Sequence, residues 1–303
     1  MCFRKSKAKR WTKKIIEQNL NTIQPVDCVQ LIHDADKKAL EVLKKIPLLE
    51  KACSKILAFT QEPIYKIVNM SCMTRITEKQ VPKIHLMVKS ICKKIGIDMP
   101  ELYLCLDRTP NAYVIGAEKY TIVVHSGLLE CFEEDEIYAV LAHECGHIAC
   151  KHGVYHTLGR LVLGGGKIGL DEIAGAMSGR GILGSIVGGV VSLIDNALEL
   201  AMYQWYRASE FSADRVAAIC CGDTKPVVET MMRLAGGTTN IGFEIDTDLF
   251  AAQADSYQEM VKEDKINKAL EFMLTKNETH PLLAVRASEI KKFGMTETFQ
   301  KFK

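Results

Sequence analysis

A predominantly helical α+β fold is predicted for this chain of 303 residues. Three observations predict it. Apolar residues recur at helical spacing over most of the length. The period turns strand-like only between about residues 102 and 124. The composition is ordinary for a globular protein, with 48% hydrophobic and 25% charged residues, which leaves global disorder, collagen and coiled-coil arrays without support.

The N-terminal third comes first. Residues 1–14 carry seven basic residues and no acid, from Arg4 and Lys5 to Lys13 and Lys14. They read either as a solvated, frayed terminus or as a basic arm that touches anionic lipid headgroups or a partner. Residues 27–95 read as helices, because Val29, Ile32, Leu40 and Leu43, and later Ile84, Met87, Val88, Ile91 and Ile95, keep a helical period. That region shows packing and no chemistry, and it is a candidate cover for the rest of the chain. Residues 102–106, 111–116 and 120–124 read as strands with a turn at 107–110. Their short connections predict a small antiparallel three-stranded sheet.

A helix over about 135–151 opens with Asp135 and Glu136, where acids suit the helix dipole, and buries Ile137, Val140, Leu141 and Ile148. Further helices are predicted near 197–220, 262–274 and 282–292. Between the first two of these four lies a glycine-rich stretch, 159–189, with eleven of the 21 glycines. Its uncharged run, 181–194, has 14 residues and falls short of the ~20 a spanning helix needs. It reads as a mobile loop with a small-residue core helix, or as an interfacial or re-entrant membrane contact.

Charge and cysteine usage exclude several classes. Lys plus Arg number 39 against 37 for Asp plus Glu, so no nucleic-acid partner is expected. The 11 cysteines are odd in number and never spaced C-x-x-C, which argues against a disulfide framework or zinc ribbon and for reduced thiols in the cytoplasm. No apolar run succeeds the basic start, Cys2 stands where myristoylation needs glycine, and no C-a-a-X box ends the chain. A cytoplasmic, unsecreted protein is expected, membrane-associated only if residues 1–14 or 181–194 make a peripheral contact.

The chemistry concentrates at His143-Glu144-Cys145-Gly146-His147. On a helix, residues i and i+4 differ by only ~40° of rotation and ~6 Å of rise, so both imidazoles leave one face and can grip one ion. Glu144 stands beside that ion, where a base must stand to take a proton from water. With 8 histidines in 303 residues, a random chain would hold about 0.016 copies of this motif. A catalytic zinc site needs a third protein ligand and an open position. Glu210 can supply the ligand, and Asp214, one turn on, can hydrogen-bond the outer nitrogen of a ligand histidine. Spacing alone also allows both to be solvated acids. His280 precedes Pro281, which favours a loop before the last helix. There it either donates a hydrogen bond to an oxyanion or merely enters the helix. His152 and His156 read as satisfied surface or core residues, and Cys145 points into the scaffold.

Together these elements resemble zinc metallopeptidase family M48, typified by the bacterial membrane protease HtpX and the type 1 CaaX prenyl protease. H-E-x-x-H at 143–147, the pair Glu210 and Asp214, and H-P-x-x-x-x-R from His280 to Arg286 match its pattern in order. Asn111-Ala112 with Gly116, and Ser126-Gly127-Leu128 leading into Asp135-Glu136, match upstream. The resemblance covers about 80–290. It implies a zincin-type (gluzincin) catalytic domain over 76–303, preceded by a basic arm and helical extension over 1–75. It implies one Zn²⁺ per chain held by His143, His147 and Glu210, Glu144 as base and acid, Asp214 behind a ligand, and His280 with Arg286 lining the site. Asn111 and Ala112 lie, by the same implication, on an edge strand that receives a polypeptide. The expected function is a soluble-type, zinc-dependent endopeptidase acting on unfolded or flexible polypeptides through a metal-activated water. The competing class is a non-enzymatic metal-binding or membrane-peripheral scaffold that keeps the protease fold.

Overall fold

The computed structural model describes residues 2–45, 62–116, 119–156, 196–236, 245–263 and 282–303. It is a mostly helical α+β protein built around one buried helix. The N-terminal residues form a helix, α1 (Cys2–Leu20), rather than a frayed end or a free arm. Ala8, Thr12, Ile15, Ile16 and Asn19 are buried along it at helical spacing, which leaves the basic residues between them on the outer face. A short 3₁₀ turn at Cys28–Leu31 leads to α2 (Asp34–Lys44), whose N-cap is His33. Helix α3 (Glu62–Cys72) and strand β1 (Thr74–Arg75) precede α4 (Pro82–Ile95). Proline opens α4, and Gly96, at φ 68°, ends it, as the asymmetry of helix termini requires.

Strands β2 (Glu101–Cys105), β3 (Ala112–Ile115) and β4 (Thr121–His125) join β1 in a four-stranded sheet of order β1-β2-β4-β3. This corrects the expected three-stranded antiparallel sheet in two respects. The two-residue β1 is too short to show a period, yet it pairs with β2, Thr74 opposite Leu104. Strands β2 and β4 are parallel, Leu102 opposite Ile122, and only β3 runs antiparallel to β4. The six-residue link between β2 and β3 looks like a hairpin turn in the sequence. Extended, such a link reaches ~20 Å, ample to step over one strand spaced ~4.8 Å from each neighbour. The slot it leaves is filled by β4. The link is pinned where it crosses: Gly127 N–H and the Ser126 hydroxyl both donate to the Asp107 carbonyl, at 2.8 and 3.0 Å. Gly127 is needed there, since a Cβ would stand 2.2 Å from the Arg108 carbonyl oxygen.

Helix α5 (Ser126–Cys131) is succeeded by α6 (Glu134–Ala149), which starts at a capping box made by Glu133 and Glu136. Every α6 residue from Glu136 to Ile148 is buried, so α6 is the central rod rather than a surface amphipath. Against it pack α1, α4, α7 (Asn196–Cys221) and α8 (Lys225–Leu234), and α9 (Thr247–Glu263), α10 (Leu283–Gly294) and α11 (Glu297–Phe302) follow in the chain. The expected helices at 135–151, 197–220 and 282–292 match α6, α7 and α10. Helices α8 and α9 have no counterpart among the expected elements. The helix expected near 262–274 falls mainly outside the described residues, as does the whole 159–189 stretch.

One hydrophobic core runs through the molecule, from Ile15 and Ile16 of α1 through Leu102 and Val124 of the sheet to Ile290 and Phe293 of α10. Asn19 sews α1 to the centre by donating to the Tyr138 hydroxyl and the Cys220 carbonyl, both at 2.8 Å. Among the described residues no helix is long and apolar enough to cross a membrane.

Helices α6 and α7 come close together at Gly146, where a Cβ would meet Ala213 Cα and O at 3.0 Å and Val216 Cβ at 3.1 Å. Two of these atoms are backbone and cannot rotate away. Gly146→Val is expected to destabilise the protein by about 1–3 kcal/mol through overpacking, read as a lower urea midpoint at unchanged m.

Candidate metal centre

The helix crossing decides where the chemistry lies. His143 and His147 leave α6 on the face that meets α7, and Glu210 faces them from α7. All three side chains are buried. The two Nε2 atoms are 3.1 Å apart. Glu210 Oε2 is 3.5 Å from His143 Nε2, and Glu210 Oε1 is 3.3 Å from His147 Nε2. Donor atoms bound at about 2.0–2.1 Å to one tetrahedral zinc stand about 3.3–3.4 Å from one another. The three contacts observed here, one to each oxygen of Glu210 and one between the rings, are of that size.

Two carboxylates and a guanidinium close around the triangle. Asp214, one turn beyond Glu210, accepts from His143 Nδ1 at 2.9 Å. That contact keeps a proton on Nδ1, so Nε2 is the nitrogen turned toward the cluster. Arg286 of α10 grips Asp214 with both Nε and Nη2, each at 2.7 Å, and its Nη1 lies 2.8 Å from Glu210 Oε2. Glu144, Glu210, Asp214 and Arg286 are all buried. Three formal carboxylates against one guanidinium leave −2, which one divalent cation neutralises. The donor set, its spacing and its charge therefore all fit such an ion.

Electrostatics reflect this crowding. Burial alone would raise the pKa of Glu210 and Asp214, but Arg286 first and His143 next outweigh it and hold both below the carboxylate range. The same carboxylates keep Arg286 firmly protonated in spite of its burial. Burial opposes a proton on His143, yet Glu210 and Asp214 lift it to about 10. Burial drives His147 down to about 3, with the neighbouring His143 adding to the effect. Between two nitrogens so close there is room for one positive charge.

A cleft opens on this cluster, lined by Asn111, Ala112, His143, Glu144, Asp214 and Arg286 with Leu128, Val140, Val227 and Met231. Ala112 belongs to β3, which ends the strand order. The sequence-predicted residues are thus gathered in one place, apart from His280, which lies outside the described residues. Cys145 is fully buried on the other side of α6. A hydrogen bond with Cys92 and burial keep it a neutral thiol.

The chain matches known proteins. The model of Peptidase family M48 covers residues 78–293. The chain belongs to this family. Within it, the plastoglobule-localized metallopeptidase 48 of Arabidopsis thaliana is 30% identical over 267 residues, 88% of this chain and 72% of that protein. A protease HtpX homolog of Janthinobacterium sp. (strain Marseille) is 32% identical over 162 residues, 49% of this chain and 56% of that protein. One from Pyrococcus abyssi is 25% identical over 168 residues, 52% and 58%. The chain spans little more than half the length of these HtpX homologs. No solved structure matches it. The M48 relatives carry peptidase names, and the His-rich cluster is where a metal of such an enzyme would be held.

Sequence reasoning passes over two residues here. His152, read as a bystander, packs on His147 with Nδ1 to Nδ1 at 3.0 Å. Helix α6 ends in a Schellman turn: His152 N–H donates to the His147 carbonyl and Lys151 N–H to that of Ile148, at 2.9 and 3.0 Å. Lys151 is left-handed, φ 61°, and folds the next ring back onto the helix. Asp36, within a segment read as packing alone, is buried beside His152. Asp36, Leu40 and Leu43 share a helical stripe, and an acid in an apolar stripe is the available signal that a buried partner exists.

Removing Arg286 leaves two buried carboxylates facing each other, so Arg286→Ala should cost about 3–5 kcal/mol in urea denaturation. The depressed carboxylates set the sign of the pH effect. Their stabilisation is fully present above the ordinary range near pH 4 and is lost as pH falls through their lower folded values. Urea midpoints should therefore decline below about pH 4, and less steeply in Asp214→Asn relative to its own neutral-pH value.

Proposed function

We propose that this chain is a zinc-dependent endopeptidase whose single Zn²⁺ is held by His143, His147 and Glu210. The observation that carries this reading is the buried triangle of two Nε2 atoms and one carboxylate, 3.1–3.5 Å on a side, with Glu144 in the wall of the adjoining cavity. A zinc ion in that position supplies Lewis acidity to a water and to a scissile carbonyl. Glu144 takes the proton from the water and later hands it to the leaving amine. His280 donates a hydrogen bond to the carbonyl oxygen as negative charge builds there. Asp214 holds the His143 tautomer, and Arg286 holds Asp214 and Glu210.

Substrate adds to the sheet at β3, beside Asn111 and Ala112, through main-chain hydrogen bonds. Such pairing reads little sequence, so the substrates are unfolded or flexible polypeptides. The catalytic region is 76–303, and 1–75 is an N-terminal extension. The enzyme is cytoplasmic, with membrane contact confined to peripheral docking through residues 1–14 or 181–194.

Glu144→Gln should retain stoichiometric zinc by atomic emission yet degrade casein at under a hundredth of the wild-type rate, the scale of a lost general base. Unchanged turnover would sink the assignment. Chelation should abolish casein cleavage and lower the thermal midpoint, since an ion at 100 times its dissociation constant stabilises by about 2.7 kcal/mol. Zinc should restore both.

A further inference from the structure

Among the described residues, no carboxylate faces the outer nitrogen of the second imidazole of the triangle. Asp214 serves His143, while behind His147 stands another ring. His152 Nε2 lies 2.9 Å from Asp36 Oδ2. A carboxylate only accepts, so His152 carries its proton on Nε2 and offers a bare Nδ1. His147 must then donate Nδ1–H across the 3.0 Å contact, which turns its Nε2 lone pair toward Glu210 and His143.

Asp36 is itself held on every side. The Ser212 hydroxyl donates to Oδ2 at 2.6 Å and Trp205 Nε1 donates to Oδ1 at 3.0 Å. Burial pushes its pKa up, but the bonds from His152, Ser212 and Trp205 outweigh burial and keep it ionised. The Ser212 hydroxyl in turn accepts from His33 N–H at 2.9 Å, which ties the start of α2 to α7. On the other side of the line, Lys151 is kept in a left-handed conformation that is unfavourable for a non-glycine residue and that places the His152 ring.

We infer that Asp36 and His152 form an outer line to His147, Asp36–His152–His147, so that the N-terminal extension, outside the matched residues 78–293, supplies a positioning residue for the metal centre. This rests on the reading of the triangle as a metal centre. The relay sets which nitrogen of His147 is bare and raises its basicity. Its loss is expected to weaken metal binding on the scale of an outer partner, about 10–100-fold.

Asp36→Asn is the sharpest variant. Trp205 Nε1–H can only donate, so the amide oxygen must face it, and the amide NH₂ turns to His152. His152 then moves its proton to Nδ1 and confronts His147 with a donor, which forces a proton onto His147 Nε2. The experiment compares full-length wild type, Asp36→Asn and His152→Gln with Asn19→Ala, a control that loses buried hydrogen bonds away from the line. Zn²⁺ affinity is read by competition with a fluorescent chelator, Co²⁺ binding by its visible spectrum, and tautomers by histidine ¹⁵N shifts without added metal.

The inference expects Asp36→Asn and His152→Gln to bind both ions about 10–100-fold more weakly, with a changed ¹⁵N pattern at His147 in Asp36→Asn. Asn19→Ala should lose thermal stability and keep its affinity. Wild-type affinity in both relay variants, while His143→Ala abolishes binding, overturns the relay and leaves the metal centre standing. An equal affinity loss in Asn19→Ala also overturns it, by reducing the effect to general destabilisation. Failure of the wild type itself to bind Zn²⁺ or Co²⁺ removes the metal reading and the relay together.

Discussion

The centre of this protein is a crossing of two helices, and its geometry depends on how closely they approach. Gly146 lets α6 and α7 come near enough for imidazoles from one and a carboxylate from the other to stand 3.1–3.5 Å apart. A separation larger by one side chain would leave the same residues as isolated buried polar groups, each a cost to folding. The glycine inside the motif therefore acts through packing, while the residues on either side of it act through chemistry.

Bringing those groups together creates a charge problem, and much of the surrounding structure answers it. Glu210, Asp214 and Glu144 are withdrawn from water on facing helices. Arg286 arrives from α10 and bonds Asp214 through two nitrogens, a fork that suits guanidinium and carboxylate better than any lysine could. Formal charge still falls two units short of neutrality. That deficit explains why His143 holds a proton so tightly, and it makes a doubly charged ion the natural complement. A buried Glu136–Arg233 pair, 2.8 Å apart, solves a similar problem near the start of α6 without any such deficit.

Part of this is legible in the sequence, and the rest is hidden for physical reasons. His143 and His147 are readable because helical spacing turns a one-dimensional pattern into a shared face. Glu210 and Asp214 are readable as a pair on one helix, though only the family pattern links them to the histidines. The sheet is easily misjudged because a six-residue link fits both an adjacent hairpin and a step over one strand. A two-residue strand such as Thr74–Arg75 shows no period at all. Helical angle dismisses His152, yet α6 has already ended there and a left-handed Lys151 resets the direction. Asp36 meets His152 and Trp205 only through tertiary contact, which local patterns cannot report.

The groups around the centre are drawn from α2, α6, α7 and α10, so from residues as far apart as Asp36 and Arg286. Contacts so far apart in sequence close late. While the chain is being made, α6 emerges with its two imidazoles long before α7 and α10 exist, and until Arg286 arrives the carboxylates of Glu210 and Asp214 repel each other. A chain made only as far as α7 therefore holds the imidazoles and the carboxylates without the guanidinium that balances them, and the centre can be assembled only once α10 has followed.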